Sequence, residues 1–248
     1  MKSYHISLSN LSSIEDVCLA EYLYNNLNPI ISVSRFIALD APVLYIVGDQ
    51  SVTNNQWVYQ DKLEGIKLRR SIGFPNGRWM LVDKALSIGV VTPFNDRLDN
   101  IYRRSLFGGI AKAFREYGIN LHKTKLQESQ YELCLDNEKK LVSEGLAYNH
   151  KNNTTHIEAL INIKYPMDIA KRIYKPIKYE SGTYNIEDRI IDLESLGVKY
   201  EDKLLDDIIS NFYKNIGVEW EYKELFFDYM MYKKVNNDSN WILNGKRN

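Results

Sequence analysis

The amino-acid sequence predicts an α+β fold, a central and mostly antiparallel sheet flanked by helices. Two observations carry this expectation. Three successive short segments, 130–135, 141–150 and 155–162, read as antiparallel strands. The clearest apolar helical stripes, at 14–27, 99–117 and 203–216, are interspersed among strand pairs and do not alternate with them one for one, as a doubly wound sheet would require.

The elements follow in order. Residues 14–27 set Val17, Ala20, Glu21, Tyr24 and Leu27 at helical spacing behind Ser12 and Ser13, which favour helix starts. Two β-rich runs come next, 30–38 and 42–47, and the polar stretch 54–65 carries a short helix. Residues 66–70 form a short strand that enters a turn-rich stretch, 71–77, where Gly73, Pro75 and Gly77 oppose regular structure. Residues 79–82 and 86–91 read as a hairpin or as two consecutive strands. The helix over 99–117 presents Ile101, Leu106, Ile110, Ala113, Phe114 and Tyr117 as one stripe, with Gly118 as its stop. Residues 166–174 form a short helix halted by Pro176, and 189–196 another. The helix over 203–216 turns Leu204, Leu205, Ile208, Ile209 and Phe212 inward and ends at Gly217. The aromatic tail from Trp220 to Tyr232 has the spacing of a helix packed on the domain, followed by a frayed end. The expected division is a main domain over 1–217 and a tail over 218–248 that packs on it or extends it.

Composition narrows the function. The 248 residues hold 32 basic and 32 acidic side chains, so the formal net charge is zero. A protein that coats nucleic acid needs a basic excess, and none exists globally. With 44% hydrophobic and 26% charged residues the chain is an ordinary globular one, large enough for a sizeable core. The two cysteines, Cys18 and Cys134, form no framework and belong to no Cys-x-x-Cys pair, which fits a reducing compartment. No leader-type apolar run opens the chain and none reaches the ~18 residues of a membrane span. The expectation is a soluble cytoplasmic protein with neither nucleic acid nor membrane as partner.

No phosphate-binding glycine loop, dinucleotide fingerprint, nucleophile elbow or zinc-helix motif occurs, and the four histidines (His5, His122, His150, His156) lack metal-ligand spacing. The suggestive local feature is 68–77 (LRRSIGFPNG). Two guanidinium forks, Arg69 and Arg70, lead into a loop with Gly73 and Gly77, and such forks together with bare backbone N–H groups suit an anionic phosphate or carboxylate. Cys134, in the alternating run 131–135, has no histidine within about ten residues and reads as a buried strand cysteine, as does Cys18 in its helix. Arg103, Arg104, Lys112 and Arg115 read as one solvated helix face, with docking of an acidic partner as the sharper alternative.

The order of these elements resembles the lipoate–protein ligase family, which shares its catalytic fold with biotin–protein ligases. Residues 16–24 (DVCLAEYLY) look like that family's first helix, 42–47 (PVLYIV) like its Pro-x-Leu-x-x-Trp strand, and Arg69-Arg70 like the start of Arg-Arg-x-x-Gly-Gly-Gly-x-Val-x-His-Asp. Residues 142–148 (VSEGLAY) resemble Lys-x-Ser-Gly-x-Ala-x, 155–163 (THIEALINI) resemble His-x-Gly-Thr-Leu-Leu-x, and 187–196 a later segment of the same family. The departures fall on functional positions. The glycine run becomes 73–78 (GFPNGR), the motif histidine becomes Val82 while its aspartate survives as Asp83, and Glu158-Ala159 replace Gly-Thr.

The resemblance implies that ATP and Mg²⁺ convert lipoate, or a related acyl group, to an acyl-adenylate that passes to a lysine of a lipoyl-type acceptor protein. It also implies that Arg69, Arg70, Gly73, Gly77, Asp83, Ser143, Gly145, Ala147 and His156 line the acyl-adenylate. The family's lysine falls on Val142 when counted back from Ala147 without a gap, and only a shifted strand brings in Lys139 or Lys140, so Lys140 is the candidate catalytic cation. Loss of one such donor typically costs on the order of 10²–10³ in rate. An impaired ligase, or a non-catalytic acyl-binding or assembly subunit, is therefore expected, either alone or completed by an accessory subunit.

Overall fold

The computed structural model describes residues 2–26, 31–47, 56–71, 79–124, 131–179, 182–225 and 228–244. The chain opens with β1 (Lys2–Leu11), a strand that hydrophobic patterning does not announce, because its buried positions include Ser3 and His5. Helix α1 (Ser13–Asn26) follows, its first turn held by Glu15, whose carboxylate accepts from Ser12 N and Oγ. It crosses to β2 (Ile31–Val47), a single strand where the sequence reads two runs. β2 continues through Pro42 and absorbs the interruption as a register break between Ala38 and Val43. Within 54–65 the described helical piece is a 3-10 turn, Gln60–Lys62. β3 (Lys67–Ser71) then pairs with the second half of β2.

β4 (Met80–Pro93) is likewise one strand, with a register shift at Lys84 and Ala85 where a hairpin was one expectation. Helix α2 (Asp96–Glu116) ends before Gly118, whose φ of 74° suits the left-handed turn that stops a helix. Short strands β5 (His122–Lys123) and β6 (Leu133–Cys134) lead to the long hairpin of β7 (Lys140–Asn149) and β8 (Thr154–Lys164). Helix α3 (Met167–Ile173) precedes a small ribbon of β9 (Ile177–Tyr179) and β10 (Gly182–Tyr184). Residues 189–196, expected as a helix, instead form turns after a 3-10 turn at Ile186–Asp188, because their backbone bonds to the ends of β7 and β8, Ile191 N donating to Lys140 O and Leu193 N to Asn162 O, and their side chains anchor neighbouring backbone. Asp192, for example, accepts from Tyr165 N at 2.6 Å and Ser195 N at 2.7 Å.

Helix α4 (Asp202–Ile216) closes at Gly217, φ 68°. The aromatic tail is not one helix. Its start is β11 (Glu219–Tyr222), with Trp220 stacked on Tyr213 at 5.3 Å, and helices α5 (Met230–Asn236) and α6 (Ser239–Asn244) follow.

The main sheet runs β11-β1-β2-β4-β8-β7-β6-β5, with β3 beside the outer half of β2. β1 lies parallel to both β2 and β11, and β3 parallel to β2; the centre, β2-β4-β8-β7, is antiparallel throughout. One face of that centre carries Leu86, Ile88, Val90, Ile157, Ala159 and Ile161 and is covered by α2 and α4. The two helices approach closely at Gly109, where a Cβ would stand 3.1 Å from Phe212 N. Fully burying Phe107, Phe114 and Phe212 in this layer contributes about 1.5–3 kcal/mol each. The opposite face is covered by α1, and the chemistry gathers there.

Candidate ligand-binding site

Register decides which side chains share the second face. Residues directly opposite in antiparallel strands lie on the same side. Arg35 stands opposite Ser87, and Ser87 opposite Leu160, which faces Ser143. The adjacent row reads Val33, Gly89, Glu158 and Gly145, and the next Val91, His156 and Ala147. Ser143, Gly145, Ala147 and His156, four residues expected at the site from sequence, are therefore brought onto one face. The β7 members are half-buried and His156 is buried. Gly89 is required beside His156: a Cβ there would lie 2.7 Å from His156 Nε2.

Between α1 and this face lies a buried ionic network that no sequence motif announced. Arg35 donates through Nη1 to Asp16 Oδ1 at 2.8 Å and through Nη2 to Glu158 Oε1 and to Ser87 Oγ, the last at 2.7 Å; Ser87 Oγ also donates to Glu158 Oε1. The side chains of Arg35, Asp16 and Glu158 are 1%, 0% and 3% exposed. Burial pushes both carboxyls above the usual carboxylate range, against the pull of the Arg35 charge. Tyr45 adjoins Asp16, and burial drives its phenol well above its ordinary value. Tyr45 in turn pairs with Arg69 across β2 and β3, so a polar chain runs from Arg69 to Glu158.

The paired arginines of β3 have separate engagements. Arg69 Nε donates to Ser13 Oγ at 3.3 Å, and burial lowers its pKa. Arg70 is fully buried and donates through Nε and Nη2, at 3.2 and 2.9 Å, to the carbonyl oxygen of Ile242 in α6. Gly73 and Gly77 lie outside the described residues. Asp83 stands at the entry of β4, 3.2 Å from Lys164 Nζ. Lys140 begins β7, and its ammonium donates to Glu132 Oε1 at 2.7 Å. Val142 is opposite Ile161 and packed in the core under α2 and α4, on the side of the sheet away from Glu158.

Among the described residues no group of three His, Cys, Asp or Glu side chains is arranged to hold a metal ion, and no helix is long and apolar enough to cross a membrane. Arg103 and Arg104 gather at Tyr131, Arg103 Cζ 4.5 Å from the ring centre, with Glu144 accepting from Arg103 Nε at 2.6 Å.

Both cysteines are buried. Burial pushes the Cys18 thiol up to about 11, and raises that of Cys134 as well. Native protein at pH 8 is therefore expected to show no rapid reaction with a disulfide-type thiol reagent, and two thiols after unfolding in urea. A thiol titrating natively within seconds would contradict this placement.

No protein-family model and no curated protein matches the chain. Solved structures do match its fold along nearly its whole length. A putative lipoate protein ligase from T. acidophilum with bound lipoic acid superposes with a TM-score of 0.74 at 14% identity, covering 98% of this chain and 100% of that one. A lipoate-protein ligase A bound with ATP gives 0.76 at 14% identity, with 98% and 99% covered. A structure of a bi-partite lipoate protein ligase and its E2 lipoyl domain from Thermoplasma acidophilum gives 0.75 at 14% identity, with 100% and 98% covered. The chain thus has the lipoate–protein ligase fold, and fold leaves activity to be argued from the site.

Proposed function

We propose that the chain is a divergent relative of the lipoate–protein ligases that binds a small ligand on the α1-covered face of its sheet but does not by itself form or transfer an acyl-adenylate, so that it serves as a binding or assembly subunit. The observation that carries this reading is Val142. It occupies the position at which the resemblance places the lysine that holds the adenylate, and it is an apolar residue sealed in the opposite layer. Lys140, the other candidate, spends its ammonium on Glu132. Arg70, on the phosphate side, has a backbone carbonyl in the place an anion would take. Positioned cations are what acyl-adenylate chemistry demands, and the arginine at the centre of this face, Arg35, is committed to Asp16 and Glu158.

A second reading, an active or impaired ligase using ATP, Mg²⁺ and lipoate or another acyl group, is favoured by the retention of Arg69 and Arg70. One experiment separates the two. Purified chain is incubated with ATP, Mg²⁺, lipoate or octanoate and a lipoyl domain, and the intact acceptor is weighed. The expected result is no mass gain over buffer. A gain of one acyl group would overturn the proposal, and its loss in Lys140→Ala would then assign the cation.

A further inference from the structure

The forked edge of Arg70 closes on a neutral atom. Its Nε and Nη2 are spaced to grip the two oxygens of a carboxylate or phosphate. Here both donate to one oxygen, the carbonyl of Ile242, at 3.2 and 2.9 Å. Ile242 lies in the last turn of α6, where a carbonyl has no partner inside the helix. A single uncharged acceptor thus fills an oxyanion position on a buried guanidinium, and an anion in its place would make the stronger, charge-assisted bonds.

The elements that deliver this oxygen are lightly held. Helices α5 and α6 lie against α1, β3 and each other. The side chain that α5 buries is a polar one, Asn236, whereas α4 buries four aliphatic and two aromatic side chains. Asn236 Nδ2 donates to Glu21 Oε2 of α1 at 2.9 Å and to Tyr232 O at 3.0 Å. Ile242 is half-buried against the core, while Met230, Met231 and Leu243 are exposed. Few buried apolar contacts mark an element that opens locally, ahead of global unfolding.

Extending the reading that a carbonyl stands where an anion would, we propose that α5 and α6 form an autoinhibitory strap. Docked, the strap holds Ile242 O in the anion position of Arg70; released, it opens that position to a ligand bearing a phosphate or carboxylate group. Two variants of the full chain open it. Asn236→Asp sets a carboxylate against Glu21 and frees α5. Ile242→Pro removes the N–H that bonds to Asp238 O at 2.9 Å and unravels α6. Hydrogen exchange reads release as faster exchange confined to 229–244. Calorimetry then measures inorganic pyrophosphate and octanoate, the phosphate-type and carboxylate-type probes. A strap closed about 90% of the time weakens apparent affinity about tenfold, so each opened variant should bind one probe about tenfold more tightly than wild type.

The probe that gains identifies the anionic group, and Arg70→Met added to Asn236→Asp should remove the gain. By linkage, the same probe in excess must speed exchange of the α6 amides in wild type. No gain for either probe in the opened variants would mean that Arg70 merely caps α6, and it overturns the strap. So does a gain that survives Arg70→Met, or wild-type α6 exchange that the probes leave unchanged. None of these outcomes touches the reading of the α1-covered face. Acyl transfer to a lipoyl domain by the opened variants would instead overturn the binding-subunit reading and leave the strap standing.

Discussion

Replacing Arg35 with methionine is expected to cost about 3–5 kcal/mol of stability at neutral pH, because it leaves Asp16 and Glu158 buried without the cation that reaches them. For a chain of this size that corresponds to a fall in Tm on the order of 10 °C, and reduced soluble yield is the accompanying outcome. The loss arises from stranded charge rather than lost volume, which makes it recoverable. Arg35→Met combined with Glu158→Gln should regain a substantial part of it, since one buried carboxylate then remains in place of two. Two effects that simply add would show that the three side chains do not act as a unit.

The pH dependence follows from the direction of the shifts. Both carboxyls are held above their ordinary values by burial. Their contribution to stability is therefore fully present below the unfolded value near 4 and is lost as pH rises through the folded value. Without Arg35 the folded values rise further, so the deficit of Arg35→Met against wild type should be smallest in acid and grow toward neutral pH. Urea midpoints measured across that range would read this directly.

Such a network explains why the site was less legible in the sequence than the fold. The helices α2 and α4 announce themselves through apolar period and glycine stops, because the faces they bury are mainly hydrocarbon. β1 does not, because it buries Ser3 and His5 among hydrogen-bonding partners from distant parts of the chain. Pro42 and Lys84 interrupt the apolar pattern of β2 and β4 and divide each into two runs in the sequence, whereas the sheet absorbs each interruption as a register shift. The order of segments was enough to suggest the fold. At the site, the substitution of Glu158 for a family glycine is visible in the sequence, but its partner Arg35 lies 123 residues away in a run that otherwise reads as an ordinary strand. A lone arginine among apolar residues is the available signal, and what it pairs with is set by register alone. Lys140 illustrates the converse. Only a shifted strand makes it a candidate, and the 2.7 Å contact with Glu132 assigns its charge elsewhere.

His5 carries the second large expectation, in the opposite pH direction. Its ring is fully buried in β1, with Nδ1 2.8 Å from Ser32 Oγ and Nε2 3.0 Å from Ser34 Oγ, and with Trp220 and Tyr222 of β11 edge-on. Tyr213 of α4 joins the same cluster through Ser32 and Ser3. Burial lowers the His5 pKa from 6.5 to about 4, with the charge of Asp206 on α4 opposing it more weakly. The stability contributed by neutral His5 is present above 6.5 and is lost as pH falls toward 4, a change of roughly 3 kcal/mol across the window. The His5→Gln variant keeps a hydrogen-bonding side chain but has no proton to take up. It should be less stable than wild type at pH 7, yet lose less on acidification, so that the two unfolding profiles converge between pH 6.5 and 4. Profiles that stay parallel throughout would mean that His5 is protonated in the folded protein, and that the serine cluster accommodates its charge.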